Sequence, residues 1–378
     1  MENKSALSSD TRGLLDLARR DRIAAVKQVS DLALEEQVAL VCDAPVSRRA
    51  ELLGLLPLPE SVIPAIPEAE LCFTVKAIGI ESADWLLEYA TREQVVACVD
   101  LDAWSGDLPD RVVLSSWIDV LAETDSESLH RSLQALDPEL VVLFLKSRIA
   151  VIQKTNDDDW QPPEGGQTLD GQFYFIALAE NDDVAAIVTI LRTLFERDYW
   201  TYFRMMLGVI WELETENEEW ARRWRLARLE DLGFPRWEEA MGVYRYLDPG
   251  DRAALPIGTR PLDVSEWRLP VWVRDLPAAH DAQHPIFRAI AQLDDDERHA
   301  CFYAFVALAN KVAVADRMTL SDAEATPVAL EKAAQFTSLG LEHVAAGNAI
   351  GPVDALRKVP LERLFRIGAN LDPDAARR

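Results

Sequence analysis

Short apolar helical segments joined by proline turns constrain this chain more than any other feature. Residues 34–57 predict two short helices joined at 43–45, since apolar residues recur every three or four positions on both sides of a proline. A related pattern, EQV followed by Asp, starts at Glu36 and returns at Glu93. One such hairpin cannot bury its own apolar face, so we expect repeated hairpins to stack on each other.

Further helices of similar length, with joints of a few residues, are predicted as far as residue 152. Short joints favour antiparallel neighbours. We therefore predict an all-α fold, in which a solenoid-like stack of short helical hairpins over 1–152 precedes a second helical domain. A small β-hairpin or loop insertion is expected between them.

The rest of the chain divides by composition. Residues 153–181 lack helical periodicity and contain the strand-like run 173–176, so a loop and a β-hairpin are both open there. An aromatic-rich helical region is predicted over 182–254. Recurring prolines predict a connector over 255–284, and helical periodicity returns over 285–378.

The charge and the cysteines favour a cytoplasmic protein. The net charge is −25 at pH 7, which repels phosphate backbones and makes nucleic acid an unexpected partner. The four cysteines form no CxxC pair and lie in apolar helical contexts, as is usual in a reducing compartment. No apolar run has the length of a signal peptide core or a membrane span, so no membrane insertion is predicted.

Two resemblances follow from these patterns. EEQVALV with its proline turn and RRAELLGLLP resembles the superhelical N-terminal domain of bacterial MgtE-type magnesium transporters, over about the first 150 residues. The whole chain, including GFPRWEEAMGVYRYLDP at 233–249, is similar to an uncharacterised bacterial family of unknown function. The first resemblance implies a superhelical surface. It concerns periodicity, so it transfers no magnesium ligand to any position here.

Two places in the sequence offer metal ligands. His280 and His284 have a ligand spacing if they lie on a helix, but prolines flank them and exposed loop histidines are the alternative. Asp157, Asp158 and Asp159 offer oxygen ligands to Mg²⁺ or Ca²⁺, without the spacing of an EF-hand. A solvated acidic loop is the alternative there.

One basic and aromatic patch spans residues 220–228. Considered by itself, this patch suggests binding of nucleic acid or phosphate. Glu218 and Glu219 precede Arg222 and Arg223 by four positions, which favours ion pairs along a helix. We therefore interpret the patch as structural, with Trp220 and Trp224 in a buried stripe.

No motif of a known catalytic site or cofactor site is present: GxGxxG, GxxxxGK[ST], GxSxG and HExxH are all absent. The sequence predicts no catalytic residue and no cofactor. Our first hypothesis is a non-enzymatic protein that binds or scaffolds another protein. The alternatives are a regulator that responds to Mg²⁺ or Ca²⁺, and an enzyme whose polar site is dispersed along the chain.

The concave face of the predicted stack is the expected contact surface, since solenoids bind partners on such faces. The number of aromatic residues also allows a homodimer. The residues predicted to bind the partner are Arg48, Arg49, Trp85, Trp104 and Trp117.

Overall fold

The computed structural model describes residues 9–178, 184–255, 271 and 284–376. The chain forms two compact units, Met1–Arg228 and Leu229–Arg378. In the described part of the chain, no helix has both the length and the apolar character needed to cross a bilayer.

The first unit is built mainly from short helices. They are α1 Ser9–Arg20, α2 Arg22–Ser30, α3 Leu34–Cys42, α4 Val46–Leu53, α5 Pro59–Val62, α6 Glu68–Ile78, α7 Asp84–Leu87, α8 Arg92–Asp102, α9 Arg111–Glu123, α10 Ser126–Ala135, α11 Pro138–Arg148, α12 Ala185–Arg197, α13 Tyr199–Trp211 and the start of α14 Glu214–Asp231. Two pairs of short strands interrupt them: β1 Trp104–Ser105 with β2 Leu108–Pro109, and β3 Ile149–Gln153 with β4 Phe173–Ala177.

The first hairpin has the predicted form. α3 ends at Cys42 and α4 begins after Pro45, which lacks the N–H donor that would continue a helix. The apolar side chains facing the joint, among them Val41 and Leu52, are buried. Along the chain α4 packs on α6, α6 on α8, α8 on α10 and α10 on α12. This order of neighbours is the one that stacked hairpins produce, and the mostly helical fold with a small β insertion is confirmed.

A capping box starts α8. The backbone N–H of Gln94 donates to Thr91 Oγ1 at 3.1 Å, and the N–H of Thr91 donates to Gln94 Oε1 at 2.9 Å. Gln94 Nε2 also donates to the carbonyl oxygens of Ile63 and Ile66. The cap therefore satisfies the helix terminus and ties it to the preceding turn.

The β insertion differs in part from the prediction. The strand-like run at 173–176 forms β4, as expected, and pairs antiparallel with β3 in the register Ile149↔Ala177. The sequence had assigned 149–152 to the end of the preceding helix, and this was wrong because α11 ends at Arg148. β-branched residues dominate 149–152, and pairing with β4 satisfies their backbone groups better than one more helical turn.

The second unit is also helical. Its helices after α14 are α15 Trp237–Ala240, α16 Pro285–Ile290, α17 Asp295–Ala315, α18 Ala325–Asn348, α19 Pro352–Lys358, α20 Leu361–Leu371 and α21 Pro373–Ala376. Short 3₁₀ turns lie at Met241–Tyr244 and Pro249–Asp251. Phenylalanines fill the core between the long helices: Phe305, Phe336 and Phe365 are fully buried.

Two glycines set the closest helix contact of this unit. A Cβ atom built on Gly340 of α18 would overlap the carbonyl oxygen of Leu364, and one built on Gly368 of α20 would overlap that of Phe336. The backbones of α18 and α20 therefore touch without an intervening side chain on either helix. Only glycine fits at these two positions.

The cysteine thiols are expected to react slowly in the folded protein. Cys42, Cys72 and Cys98 are buried, and Cys301 is half-buried. Burial raises the pKa of Cys42 to about 12 and that of Cys301 to about 11, so little reactive thiolate forms at neutral pH. In a time course with iodoacetamide read by mass spectrometry, we expect Cys301 to be alkylated first and all four cysteines only after denaturation. Rapid alkylation of Cys42 in the folded protein would contradict this.

Candidate functional site

Helix α14 directs charged side chains toward ion-pair partners and exposes its tryptophans. One side of the helix follows a helical spacing and is mostly charged: Glu214, Glu218, Ala221, Arg225 and Arg228. Of these, Ala221 is buried, Glu218, Arg225 and Arg228 are half-buried, and Glu214 is exposed. Trp220 and Trp224 are instead 48% and 50% exposed, and Leu213, just before the helix, is 61% exposed. A surface helix usually turns its apolar side inward, so the arrangement of α14 is reversed.

Arg228 anchors the inward side of α14. Its Nε donates to Asp100 Oδ2 at 2.6 Å, and its Nη1 donates to Asp137 Oδ1 at 2.8 Å. Burial alone would lower the pKa of Arg228, but the hydrogen bonds to the two aspartates raise it above its ordinary value. The guanidinium thus stays charged between two buried carboxylates, where a bidentate geometry is strongest.

Arg225 lies next to this pair. Its Nε donates to the carbonyl oxygen of Asp100 at 2.7 Å, and its guanidinium lies 4.7 Å from the centre of the Trp104 ring. Burial lowers the pKa of Arg225 to about 10, so the side chain is still protonated at pH 7. Trp104 therefore serves as a platform for a cation of its own chain.

Arg111 of α9 holds the other end of α14. Its Nη2 lies 2.7 Å from Glu214 Oε2 and 2.8 Å from Glu218 Oε1. The hydrogen bond with Glu218 is the largest cause that raises the pKa of Arg111. Partly exposed ion pairs contribute about 1 kcal/mol or less each. Their main consequence here is orientation, because they fix which side of α14 faces solvent.

The outward side of α14 carries stacked indoles. The ring centres of Trp220 and Trp224 are 6.2 Å apart with an interplanar angle of 25°, and Arg223 lies 5.1 Å from the centre of the Trp220 ring. The prediction that these tryptophans form a buried stripe was wrong. The adjoining side of the helix is the one that pairs with Asp100 and Arg111.

The predicted ion pairs along α14 are confirmed for one of the two glutamates. Glu219 pairs with Arg222 at 3.1 Å and with Arg223 at 2.8 Å. Glu218 instead reaches Arg111 on α9. All the arginines of the 220–228 patch thus donate to acceptors of their own chain.

Helix α13 exposes a second aromatic stripe. Trp200 and Trp211 are 76% and 72% exposed. They are three helical turns apart, so they share one side of α13, with half-buried Leu207 between them. We call Trp200, Trp211, Leu213, Trp220 and Trp224 together the aromatic surface.

Two of the predicted partner-binding residues lie in the interior. Arg49 is 4% exposed and pairs with Glu70 at 2.7 Å. Trp117 is fully buried, and its Nε1 donates to Asp102 Oδ2 at 3.0 Å. Neither side chain is available to a partner, so both predictions are corrected. Each of the two residues lies on the side of its helix that faces the core.

The other three predicted partner-binding residues are at least partly accessible. Arg48 on α4 pairs with Glu51 at 3.2 Å. Trp85 lies on α7 and is partly exposed, and Trp104 lies on β1 beneath Arg225. A contact with a partner stays a prediction for these three.

The predicted metal ligands do not converge in the described residues. His280 lies outside them, and His284 Nε2 lies 2.8 Å from Glu331 Oε1. Asp157, Asp158 and Asp159 are exposed on the loop between β3 and β4, where the N–H of Asp159 donates to Asp157 Oδ1. Over 9–178, 184–255 and 284–376, no three histidine, cysteine or acidic side chains are placed to hold a metal ion.

A helical protein with an outward aromatic surface is the class that these observations define. The chain belongs to a family of unknown function, DUF6178, whose model matches residues 26–378. This confirms the similarity to an uncharacterised family that the sequence indicated. No curated protein and no solved structure matches the chain. The resemblance of the first 150 residues to magnesium transporters therefore gains no support.

Proposed function

We propose that this protein binds another protein through the aromatic surface on α13 and α14. The observation that supports the proposal best is the reversed arrangement of α14, whose charged residues are paired inward while Trp220 and Trp224 face solvent. Trp200 and Trp211 repeat this exposure on α13. Tryptophan is enriched at the centres of protein interfaces and is seldom left exposed in numbers.

The energy available at such a surface is sufficient for specific binding. Covering one indole removes on the order of 100 Å² of apolar area from water, which stabilises a complex by about 2 kcal/mol. The two tryptophans of either helix together match what loss of translational freedom alone costs at the lower end of current values. The aromatic surface can therefore serve as the main source of affinity.

The partner is expected to be a protein with apolar side chains flanked by lysine and arginine. The net charge of −25 attracts cationic partners and increases their association rate. Beside the indoles of α14, Glu216 is exposed. The exposed Arg223 forms an ion pair with Glu219 and lies over the Trp220 ring. Because the composition of the chain favours a cytoplasmic protein, we expect its partner to be cytoplasmic too.

Alanine at Trp220 and Trp224 together is expected to reduce partner recovery by at least about tenfold, since hot-spot indoles each contribute 2 kcal/mol or more. The measurement is affinity purification at native expression level, with quantitative mass spectrometry. Trp200→Ala/Trp211→Ala tests the stripe on α13 in the same way. The matched control is Trp237→Ala, which removes a 40% exposed indole from the second unit.

The proposal requires one protein that the wild type and the Trp237→Ala variant recover equally and that the double variants lose. Circular dichroism melts establish that the variants are folded. Equal recovery with all four proteins would overturn the aromatic surface as the contact. A recovered protein whose association is insensitive to salt would contradict the cationic character of the partner.

A further inference from the structure

Four arginines gather on one side of the second unit. Arg363 and Arg366 lie one turn apart on α20, and Arg245 and Arg252 belong to the irregular segment 245–254 that packs against it. Backbone carbonyl oxygens of this segment accept their hydrogen bonds: Arg245 O from Arg366 Nε at 2.7 Å, Tyr246 O from Arg366 Nη2 at 2.9 Å, Leu247 O from Arg252 Nε at 3.3 Å, Ala254 O from Arg363 Nη2 at 3.1 Å and Asp251 O from Arg363 Nη2 at 3.3 Å.

The charge of Glu362 acts on Arg366, but the four guanidinium groups make no direct contact with a carboxylate among the described residues. None of them forms an ion pair there, whereas Lys311, Lys332 and Arg357 of the same unit each do. The neighbouring carboxylate of Glu362 pairs with Lys311 at 2.9 Å. In a chain with 64 acidic and 39 basic residues, four arginines that form no ion pair with the nearby Asp248, Asp251 or Glu362 are unexpected from composition.

The charges of Arg245, Arg363 and Arg366 lie close enough to oppose each other. Burial, together with the positive charges of Arg245 and Arg363, lowers the pKa of Arg366. Neutral carbonyl oxygens orient these side chains but do not neutralise them. An anion placed among them would relieve this repulsion.

Some N–H groups of the cluster have no acceptor among the described residues. The side chain of Arg245 is exposed and makes no hydrogen bond with the described residues. Arg363 Nε is buried without an acceptor, and a buried donor without an acceptor costs about 1–3 kcal/mol. Hydrogen bonds to backbone carbonyl oxygens account for the positions of the Arg252, Arg363 and Arg366 side chains. They do not account for the position of Arg245 or for the missing acceptor at Arg363 Nε.

We propose that Arg245, Arg252, Arg363 and Arg366 form a binding site for the phosphate group of a small ligand. The planar guanidinium matches the oxygen geometry of phosphate, and several charge-assisted hydrogen bonds to one dianion are strong. The carbonyl contacts hold three of the side chains in place before the ligand arrives. This proposal is independent of the aromatic surface, because the two share no residue.

The test is isothermal titration calorimetry with pyrophosphate, at an ionic strength held constant with sodium chloride. Constant ionic strength is essential because added salt screens the net charge of −25 and changes stability by itself. Arg245→Gln is the cleanest variant, since no hydrogen bond within the described residues is lost. We expect its affinity for pyrophosphate to fall by about tenfold or more.

Arg288→Gln is the matched control, because it removes an exposed arginine of α16 in the same unit. It should bind pyrophosphate as the wild type does. Citrate is a parallel titrant, and binding of citrate as tight as that of pyrophosphate would assign the site to carboxylates and overturn phosphate. Equal affinity in the wild type and Arg245→Gln, or no heat from pyrophosphate above that of sodium chloride, would also overturn the proposal.

Discussion

Alanine at Gly340 or Gly368 is expected to destabilise the second unit by about 3–5 kcal/mol, the largest effect of any single methyl group in the described chain. Each new Cβ would overlap a backbone carbonyl oxygen, that of Leu364 or of Phe336. A flexible side chain can move away from a new methyl group, but backbone in the middle of a packed helix cannot. The two helices would have to separate, and the phenylalanines between them would lose contacts.

Hydrogen exchange read by mass spectrometry measures this effect locally, which matters because the two units need not unfold together. Peptides from α18 and α20 are expected to exchange much faster in both variants. Gly242→Ala is the control in the same unit, since a Cβ there meets no atom within 4 Å. It should change stability by less than about 1 kcal/mol. Wild-type exchange in Gly340→Ala would show that α18 and α20 do not touch as described.

The sequence reveals features that depend on neighbours in the chain. The joint between α3 and α4 and the capping box at Thr91 were both predictable, because proline and threonine act on backbone groups within a few residues. A glycine inside a helix gives no such local signal. Gly340 becomes essential only because α20 crosses α18 at that point, and this contact is tertiary.

The aromatic surface was missed for a related reason. Trp220 and Trp224 were predicted to be buried because large apolar residues at helical spacing usually are. Charged residues of α14 face inward because they form ion pairs there with Arg111, Asp100 and Asp137. The charged residues from Glu214 to Arg228 do recur at a helical spacing. The sequence does not show, however, which charges elsewhere in the chain pair with them.

Arg48 and Arg49 illustrate the limit within a single helix. Both were predicted to contact a partner, since neighbouring arginines look alike in sequence. The phase of α4 separates them: Arg49 lies on the same side as buried Leu52 and Leu53, while Arg48 is partly exposed beside Glu51. The spacing of Arg49 from the two leucines could have indicated its burial.

Methionine at Arg49 is expected to destabilise the first unit by about 3–5 kcal/mol, because the carboxylate of Glu70 would lose its cation while it stays buried. The carbonyl oxygens of Cys42 and Ala44 would also lose a donor. Methionine preserves most of the side-chain volume, so a cavity makes only a small contribution. Urea unfolding followed by circular dichroism measures the free energy of unfolding.

Arg48→Met is the matched control, one position away on the same helix. Its ion pair with Glu51 is exposed, so the loss should be within about 0.5 kcal/mol. The combined variant Arg49→Met/Glu70→Leu separates two causes. If loss of the Arg49–Glu70 ion pair dominates, the combined variant should recover a large part of the lost stability. If instead the unsatisfied carbonyl oxygens dominate, it should be no more stable than Arg49→Met alone. Equal stability of Arg48→Met and Arg49→Met would contradict the burial of Arg49.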